Sequence, residues 1–159
     1  MILAALARPA LTALVLVSVY FVVPLDQVTG LSDVLFLVGG GVVVLLVGGW
    51  QVHRILAAEY PAVQAIEALI SVVSLHLVLF ATVYLRMSVV APDDFSESLS
   101  RIDAIYFCLT VFATVGFGDI SAESEAARAV VSVQMVANLV FFAVGIRVLA
   151  AAVQRSEER

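Results

Sequence analysis

The chain has 159 residues, a formal net charge of −5 at pH 7, only 13% charged residues and a mean hydropathy of +1.12. Soluble domains carry roughly 25% charged residues. This composition therefore indicates a membrane protein and excludes an ordinary soluble domain.

Four charge-free apolar runs have the length of a membrane-spanning helix. They are residues 9–25, 34–52, 68–85 and 129–146, with 17, 19, 18 and 18 residues. A hydrocarbon core of about 30 Å requires roughly 20 apolar residues, with about 17 to 25 as the working range. The first run could instead be a signal peptide, but no small-x-small cleavage pattern follows it. We therefore expect four transmembrane helices.

A fifth apolar run, residues 104–118, has 15 residues and is too short to cross a bilayer. A segment of this length suits a re-entrant loop. Ser100 and Asp103 form an Asp-bearing variant of a capping box, which predicts that a helix starts here and runs to about Ala113. The negative end of its dipole would then favour a cation beside residue 114.

The placement of charged residues predicts the orientation of the chain. With the amino terminus in the cytoplasm, five of the eight arginines lie on or near the cytoplasmic side, and the chain has no lysine. Nine of the thirteen acidic residues then lie outside. The arginine count follows the positive-inside rule, and an acidic outer face concentrates cations. We expect both termini on the cytoplasmic side.

The fifth run ends in the most informative motif, Thr114-Val115-Gly116-Phe117-Gly118, which Asp119 follows. Glycine adopts backbone angles that are closed to other residues, so alternating glycines can turn successive carbonyls toward one axis. This stretch resembles the TVGYG selectivity filter of potassium channels, in which rings of backbone carbonyls replace the hydration shell of the ion.

The resemblance extends over residues 61–152, in the order outer helix, acidic loop, pore helix, filter and inner helix, as in small bacterial potassium channels. It implies a pore domain over 61–152, preceded by two transmembrane helices in 1–60 and followed by a short cytoplasmic tail, 153–159. The first two spans lack the repeated arginines of a voltage sensor. The tail is too short for a regulatory domain.

By this resemblance, four identical subunits surround one pore, and each contributes a quarter of the filter. Two-pore-domain channels carry two filter motifs per chain, whereas this chain has one. The expected function is passive potassium conduction across the cytoplasmic membrane of a prokaryote. The expected partners are lipid, K⁺ and sibling subunits; no nucleic acid and no cofactor is expected.

The resemblance also assigns roles to individual residues. Carbonyls of Thr114, Val115, Gly116 and Phe117 would coordinate K⁺, together with the Thr114 hydroxyl at the inner site. Gly118 matches the outer edge of the filter, and Asp119 matches the acidic residue behind it.

Several positions depart from the family pattern. Phe117 lacks the hydroxyl that tyrosine uses to brace the filter, and Ala113 stands where threonine is frequent. Tyr106 and Phe107 occupy a site often filled by two tryptophans. Asn138 falls where many channels have a hinge glycine, so the resemblance does not locate a gate.

Other residues are candidates with two interpretations each. Thr110 either hydrogen-bonds behind the filter or packs in the core. Cys108 either packs against the filter as a small apolar residue or responds to oxidants together with its symmetry-related copies. Asn138, Phe142 and Gly145 share roughly one face of the last span, where they line the cavity or pack against another helix. His76 lies in the middle of the third span. It is either a pH sensor or a neutral group that is hydrogen-bonded between helices.

Other function classes fit less well. Two histidines, one cysteine and no lysine provide neither a HExxH motif nor a Walker lysine, so we do not expect an enzyme. Transporter subunits with such loops repeat them four times in one chain. A weakly selective cation channel and a non-conducting accessory subunit remain the alternatives.

Overall fold

A computed structural model describes residues 13–18, 20–22, 39, 42, 46 and 61–157 of the chain. Most of the predicted span 34–52 and the connection that follows it lie outside these residues. Residues 13–18 and 20–22 are helical, within the first predicted span. The prediction of two transmembrane helices in 1–60 therefore stays a prediction.

The first long helix, α1, spans Pro61–Val90. It begins at Pro61, where the resemblance places the start of the outer helix, and the fixed φ of proline suits the first helical position. At about 1.5 Å per residue, its 30 residues are longer than the hydrocarbon core is thick. Ile66–Val90 is apolar enough to cross a membrane, so the span extends beyond the charge-free run 68–85 and includes Arg86.

A short helix, α2, spans Arg101–Phe112 and is the predicted re-entrant helix. The predicted capping box is confirmed: the Ser100 side chain accepts a bond from Asp103 N, and the Asp103 side chain accepts one from Ser100 N. The helix ends at the cap residue Ala113, which also agrees with the sequence.

The last helix, α3, spans Glu125–Glu157. Ser124 caps its start, since the Ser124 hydroxyl accepts a hydrogen bond of 3.0 Å from Ala127 N. Its segment Glu125–Val148 is long and apolar enough to cross a membrane. Within the described residues, the chain thus has two candidate membrane spans, α1 and α3, with α2 packed against both.

Three aromatic rings fix α2 against α1 near the outer loop. Tyr84 of α1, Phe95 of the loop and Phe107 of α2 contact one another edge to face, with centroids 5.0 to 5.9 Å apart. All three are buried. Such ring pairs stabilise a fold by more than the area they bury suggests, so this cluster holds the middle of α2 against α1.

Two loops join on the same side of the molecule. The loop after α1 contains the 3₁₀ helix Pro92–Asp94, and its residue Phe95 forms an antiparallel bridge with Ala122. Asp94 O accepts a 2.8 Å hydrogen bond from Glu123 N. Residues 119–124, which lead from the motif to α3, are therefore anchored to the loop that ends α1.

The amino-terminal helical segment also contacts α2. Tyr20 is buried, and its hydroxyl donates a 2.8 Å hydrogen bond to Arg101 O. The Arg101 guanidinium donates to Tyr20 O and lies over the Tyr20 ring, 5.9 Å from its centroid. The first segment is thus joined to the start of α2.

Candidate functional site

The motif forms a turn whose backbone alternates between left-handed and other conformations. Thr114, Gly116 and Gly118 have φ of +58°, +53° and +80°. Both glycines thus adopt a left-handed backbone, which glycine takes without steric cost. Thr114 was not expected to share it, because a left-handed angle costs a non-glycine residue about 1–2 kcal/mol. Such strain concentrates at functional sites.

The turn is bound to the end of α2 through its amide groups. Thr110 O accepts hydrogen bonds from Val115 N, at 2.9 Å, and from Gly116 N, at 3.3 Å. Thr114 N donates to Val111 O at 3.2 Å. Since these amides are committed to the helix, the position of the turn follows that of the last turn of α2.

Residues 113–119 are exposed in the single subunit. Val115 keeps 53% and Phe117 70% of its surface accessible. A strained turn rich in apolar side chains thus lies on the surface of the subunit. An ion or another copy of the chain can reach its backbone there.

Tyr106 and Asp119 brace the outer end of the turn. The Tyr106 hydroxyl donates a 2.5 Å hydrogen bond to Asp119 Oδ2. This bond holds the pKa of the Asp119 carboxyl below its ordinary value and raises the pKa of Tyr106. Phe117 lies parallel to the Tyr106 ring, with an interplanar angle of 3° and centroids 6.4 Å apart. Tyr106 therefore touches two residues of the motif region.

Thr110 reaches the turn by its carbonyl, whereas its hydroxyl donates within α2 to Phe107 O at 2.8 Å. Cys108 is buried; its thiol donates to Leu77 O at 3.4 Å and accepts from Gln134 Nε2 at 3.3 Å. Cys108 therefore packs between the three helices.

The three residues predicted to share one face of α3 have different environments. Asn138 is 2% exposed and bonded to α1 and α2. Gly145 is buried, and a Cβ built on it would lie 3.0 Å from Leu69 Cδ2 of α1. Both therefore pack within the subunit, the second of the two interpretations. Phe142 is partly exposed and packs on Phe112, with ring centroids 5.2 Å apart.

His76 is buried among aromatic rings. Its Nε2 lies 2.9 Å from Asn138 Oδ1, and the rings of Phe80, Phe112 and Phe141 surround it at 4.8 to 6.2 Å. This is the hydrogen-bonded environment that the sequence left as one alternative. The contact joins α1 to α3.

Sequence reasoning missed two further groups at this site. Gln134 is fully buried; it accepts a hydrogen bond from the Tyr84 hydroxyl and donates one of 3.2 Å to Cys108 O. The sequence did indicate that Gln134 makes a polar contact, because a glutamine in the middle of an apolar helix requires a hydrogen-bond partner in the membrane. The pairing of Tyr106 with Asp119 had no comparable signal.

Charges of both signs lie near the outer loops. Asp94 and Glu123 belong to the two joined loops. Arg128 Nε donates a hydrogen bond of 3.1 Å to Ala122 O. Among the described residues, no group of three histidine, cysteine or acidic side chains could hold a metal ion.

Two helices long and apolar enough to cross a membrane, with a short helix and a strained backbone turn packed against them, are typical of an integral membrane protein. The chain belongs to the ion channel family: a family model described as an ion channel matches residues 72–155, slightly more than half of the chain. The match covers most of α1, all of α2 and the motif, and nearly all of α3. No curated protein and no solved structure matched the chain.

Proposed function

We propose that the chain is one subunit of a homotetrameric potassium channel and that residues 114–118 form its selectivity filter. The observation that carries the proposal is the left-handed backbone at alternate positions, Thr114, Gly116 and Gly118. Alternation of this kind lets carbonyls of successive residues face one side. Four turns around an axis would then supply stacked oxygen rings in place of water.

The exposed surface of the subunit supports assembly with further copies. Val115 and Phe117 are exposed in the turn, and α3 carries a further group of exposed apolar side chains: Val133, Val136, Leu139, Val140 and Ile146. Lipid or neighbouring subunits must cover these residues. A closed ring is the symmetric arrangement that brings several copies of one turn to a common axis.

The contact of Tyr20 with Arg101 supports a pore unit surrounded by further helices. Tyr20 lies near the carboxyl end of the first predicted span, and Arg101 lies near the outer loops. The first span would then run outward beside the pore unit. Four spans per subunit would leave both termini on one side, and the arginine distribution favours the cytoplasmic side. The proposed location is the cytoplasmic membrane of a prokaryote.

The electrostatics of the subunit favour a cation. The carboxyl end of α2 leads directly into the turn, and a helix carries on the order of half a negative charge at that end. Asp119 remains ionised at the outer end, because the Tyr106 hydroxyl lowers the pKa of its carboxyl. Both charges would lower the cost of removing water from a potassium ion.

Conduction requires binding that is strong enough for entry and weak enough for exit. In this proposal, carbonyl oxygens of Thr114, Val115, Gly116 and Phe117 replace the water around K⁺, and the Thr114 hydroxyl adds a ligand at the inner end. No bond is made or broken, and the ion moves down its electrochemical gradient.

The reversal potential of the purified full-length protein in planar bilayers tests the proposal. With potassium on one side and sodium on the other, a reversal near the potassium equilibrium potential supports a selective channel. A reversal near zero with measurable current indicates a weakly selective cation pore and contradicts the selectivity proposed.

Absence of current from protein that assembles as a tetramer would point to an accessory subunit instead. Gly116→Ala serves as the control in each recording, because loss of current in this variant assigns the conductance to the turn. A contaminating channel would be insensitive to this substitution.

A further inference from the structure

Beneath the motif, the three helices are joined by two hydrogen-bonded relays of the same design. In the upper relay, the Tyr84 hydroxyl of α1 donates to Gln134 Oε1 of α3, and Gln134 Nε2 donates to Cys108 O of α2. In the lower relay, His76 of α1 contacts Asn138 Oδ1 of α3, and Asn138 Nδ2 lies 3.4 Å from Val111 O of α2.

The four side chains of the relays are all buried, with exposures between 0% and 5%. Gln134 and Asn138 are four residues apart on α3 and therefore lie on one face. Their targets on α2, Cys108 and Val111, are three residues apart and also share a face. The repetition shows that α3 presents a row of amides to α2.

The chemistry of the groups fixes the direction of each relay. A backbone carbonyl can only accept, so each amide must turn its nitrogen toward α2. The amide oxygens of Gln134 and Asn138 then face α1 and require donors there. The Tyr84 hydroxyl supplies one, and His76 must carry its proton on Nε2 to supply the other.

The lower relay acts on the part of α2 that holds the turn. Val111 O is one of the last carbonyls of the helix, which lack a partner within a regular helix. Val111 O accepts hydrogen bonds from Thr114 N and from Asn138 Nδ2. The neighbouring Thr110 O holds Val115 N and Gly116 N. A shift of α2 relative to α3 would therefore move the turn.

We propose that Gln134 and Asn138 are positioning residues that set the ion preference of the turn by fixing α2, with Tyr84 and His76 orienting their amides. This inference rests on the proposed conduction through residues 114–118. Neither amide touches the permeant ion; each acts through a carbonyl of α2.

Permeability ratios of relay variants test the proposal. Gln134→Leu and Asn138→Leu keep the side-chain size but remove the amide. In the full-length protein under opposed potassium and sodium gradients, each is expected to lower the potassium-to-sodium permeability ratio by about two- to tenfold, the range that one hydrogen bond of ordinary strength corresponds to.

Tyr84→Phe removes only a hydroxyl and should lower the ratio less than Gln134→Leu, because the amide keeps its bond to Cys108 O. Once Gln134 is leucine, adding Tyr84→Phe should change nothing further. Thr82→Val is the matched control: it deletes a buried hydroxyl of α1 that bonds its own helix at Val78 O. It should leave the ratio unchanged.

Rescue separates positioning from packing. His76→Gln retains an N–H donor and should preserve the ratio, whereas His76→Leu should lower it as Asn138→Leu does. Unchanged ratios in Gln134→Leu and Asn138→Leu, or equal effects of Thr82→Val and Tyr84→Phe, would overturn the proposal.

A second measurement does not depend on conduction. Nitrogen-15 NMR of histidine-labelled protein in vesicles near neutral pH should show His76 protonated on Nε2 and unprotonated on Nδ1. The His53→Gln variant assigns the signal, and Asn138→Leu should shift it. A histidine with an unprotonated Nε2 would overturn the lower relay, even where the leucine variants fail to assemble. If the wild type passes cations without preference, the proposed function fails. The nitrogen signal of His76 then still tests the lower relay.

Discussion

The Tyr106 hydroxyl donates a hydrogen bond of 2.5 Å to Asp119 Oδ2 and so joins α2 to the outer end of the motif. Phe117, which lacks a hydroxyl of its own, lies parallel to the Tyr106 ring. A polar brace that the motif does not contain is thus present on the helix behind it. The departures at positions 106 and 117 are therefore structurally linked.

Tyr106→Phe should make the channel more sensitive to external acid. The hydrogen bond from Tyr106 lowers the pKa of Asp119 below its ordinary value of 3.8. A lowered pKa keeps the carboxylate charge fully present above the ordinary value and loses it only as pH falls through the lowered one. Without the hydroxyl, that loss should occur at higher pH. Current recorded against external pH measures the midpoint.

Asp119→Asn is the control for this shift, because it removes the titrating group. Its current should lack the transition that the wild type and Tyr106→Phe show. Identical midpoints in the wild type and Tyr106→Phe would mean that the hydrogen bond does not control the charge at the outer end.

Gly116→Ala should abolish or nearly abolish current while the protein still assembles. Apart from its two chain neighbours, no described residue has an atom within 4 Å of a Cβ built at this position, so the methyl group has room within the described part of the chain. The left-handed φ of +53° is the obstacle, at about 1–2 kcal/mol for each subunit. Single-channel recording and gel filtration measure the two outcomes.

Gly145→Ala is matched to that substitution, because it adds the same methyl group to a glycine in a helix. The new Cβ would press on the flexible end of Leu69, 3.0 Å away. It should leave ion preference unchanged. Equal loss of current in both variants would count against the role of backbone angle at Gly116.

Thr114→Cys should retain a pore and change its ion preference, because the weaker sulfur ligand replaces the hydroxyl proposed for the inner site. Thr110→Val should leave the ion preference unchanged, since the Thr110 hydroxyl donates to Phe107 O within α2, and the Thr110 carbonyl, which the substitution keeps, holds the turn. Relative permeabilities of potassium, rubidium and sodium make the comparison. Wild-type preference in Thr114→Cys would remove this hydroxyl from the filter.

Ser100→Ala should destabilise the folded subunit by about 1 kcal/mol through loss of the cap of α2. Hydrogen bonds between Ser100 and the Asp103 carboxyl lower the pKa of Asp103, so their contribution should be complete above its ordinary value of 3.8 and lost as pH falls through the lowered value. Thermal denaturation in detergent at neutral and acid pH measures both effects. Ser98→Ala, at an exposed loop residue, should leave the transition unchanged.

Much of the pore unit could be predicted from local sequence. Pro61 starts α1, the Ser100 and Asp103 pair starts α2, and the two glycines of the motif adopt the left-handed backbone. Each of these features depends on residues within a few positions of one another. We can therefore predict proline geometry, helix capping and glycine conformation without knowledge of the fold.

The roles of Asn138 and Gln134 could not be predicted in the same way. Spacing along α3 placed Asn138, Phe142 and Gly145 on one face, but only the packing of three helices decided which neighbours they meet. A helical period gives relative directions around one helix and not the identity of the partner. Gln134 was recognisable as an intramembrane polar residue, yet its target on α2 was not.

The sequence by itself determined the membrane environment, the re-entrant helix and the motif that resembles a filter, since hydrophobic length, caps and glycines act locally. Tertiary structure decided how that motif is held: Thr110 O binds its amides, Tyr106 braces Asp119, and the amides of α3 reach the carbonyls of α2. These bonds join residues up to 27 positions apart. A buried polar group takes whatever partner the packed helices bring within reach, so the fold must exist before such a partner can be known.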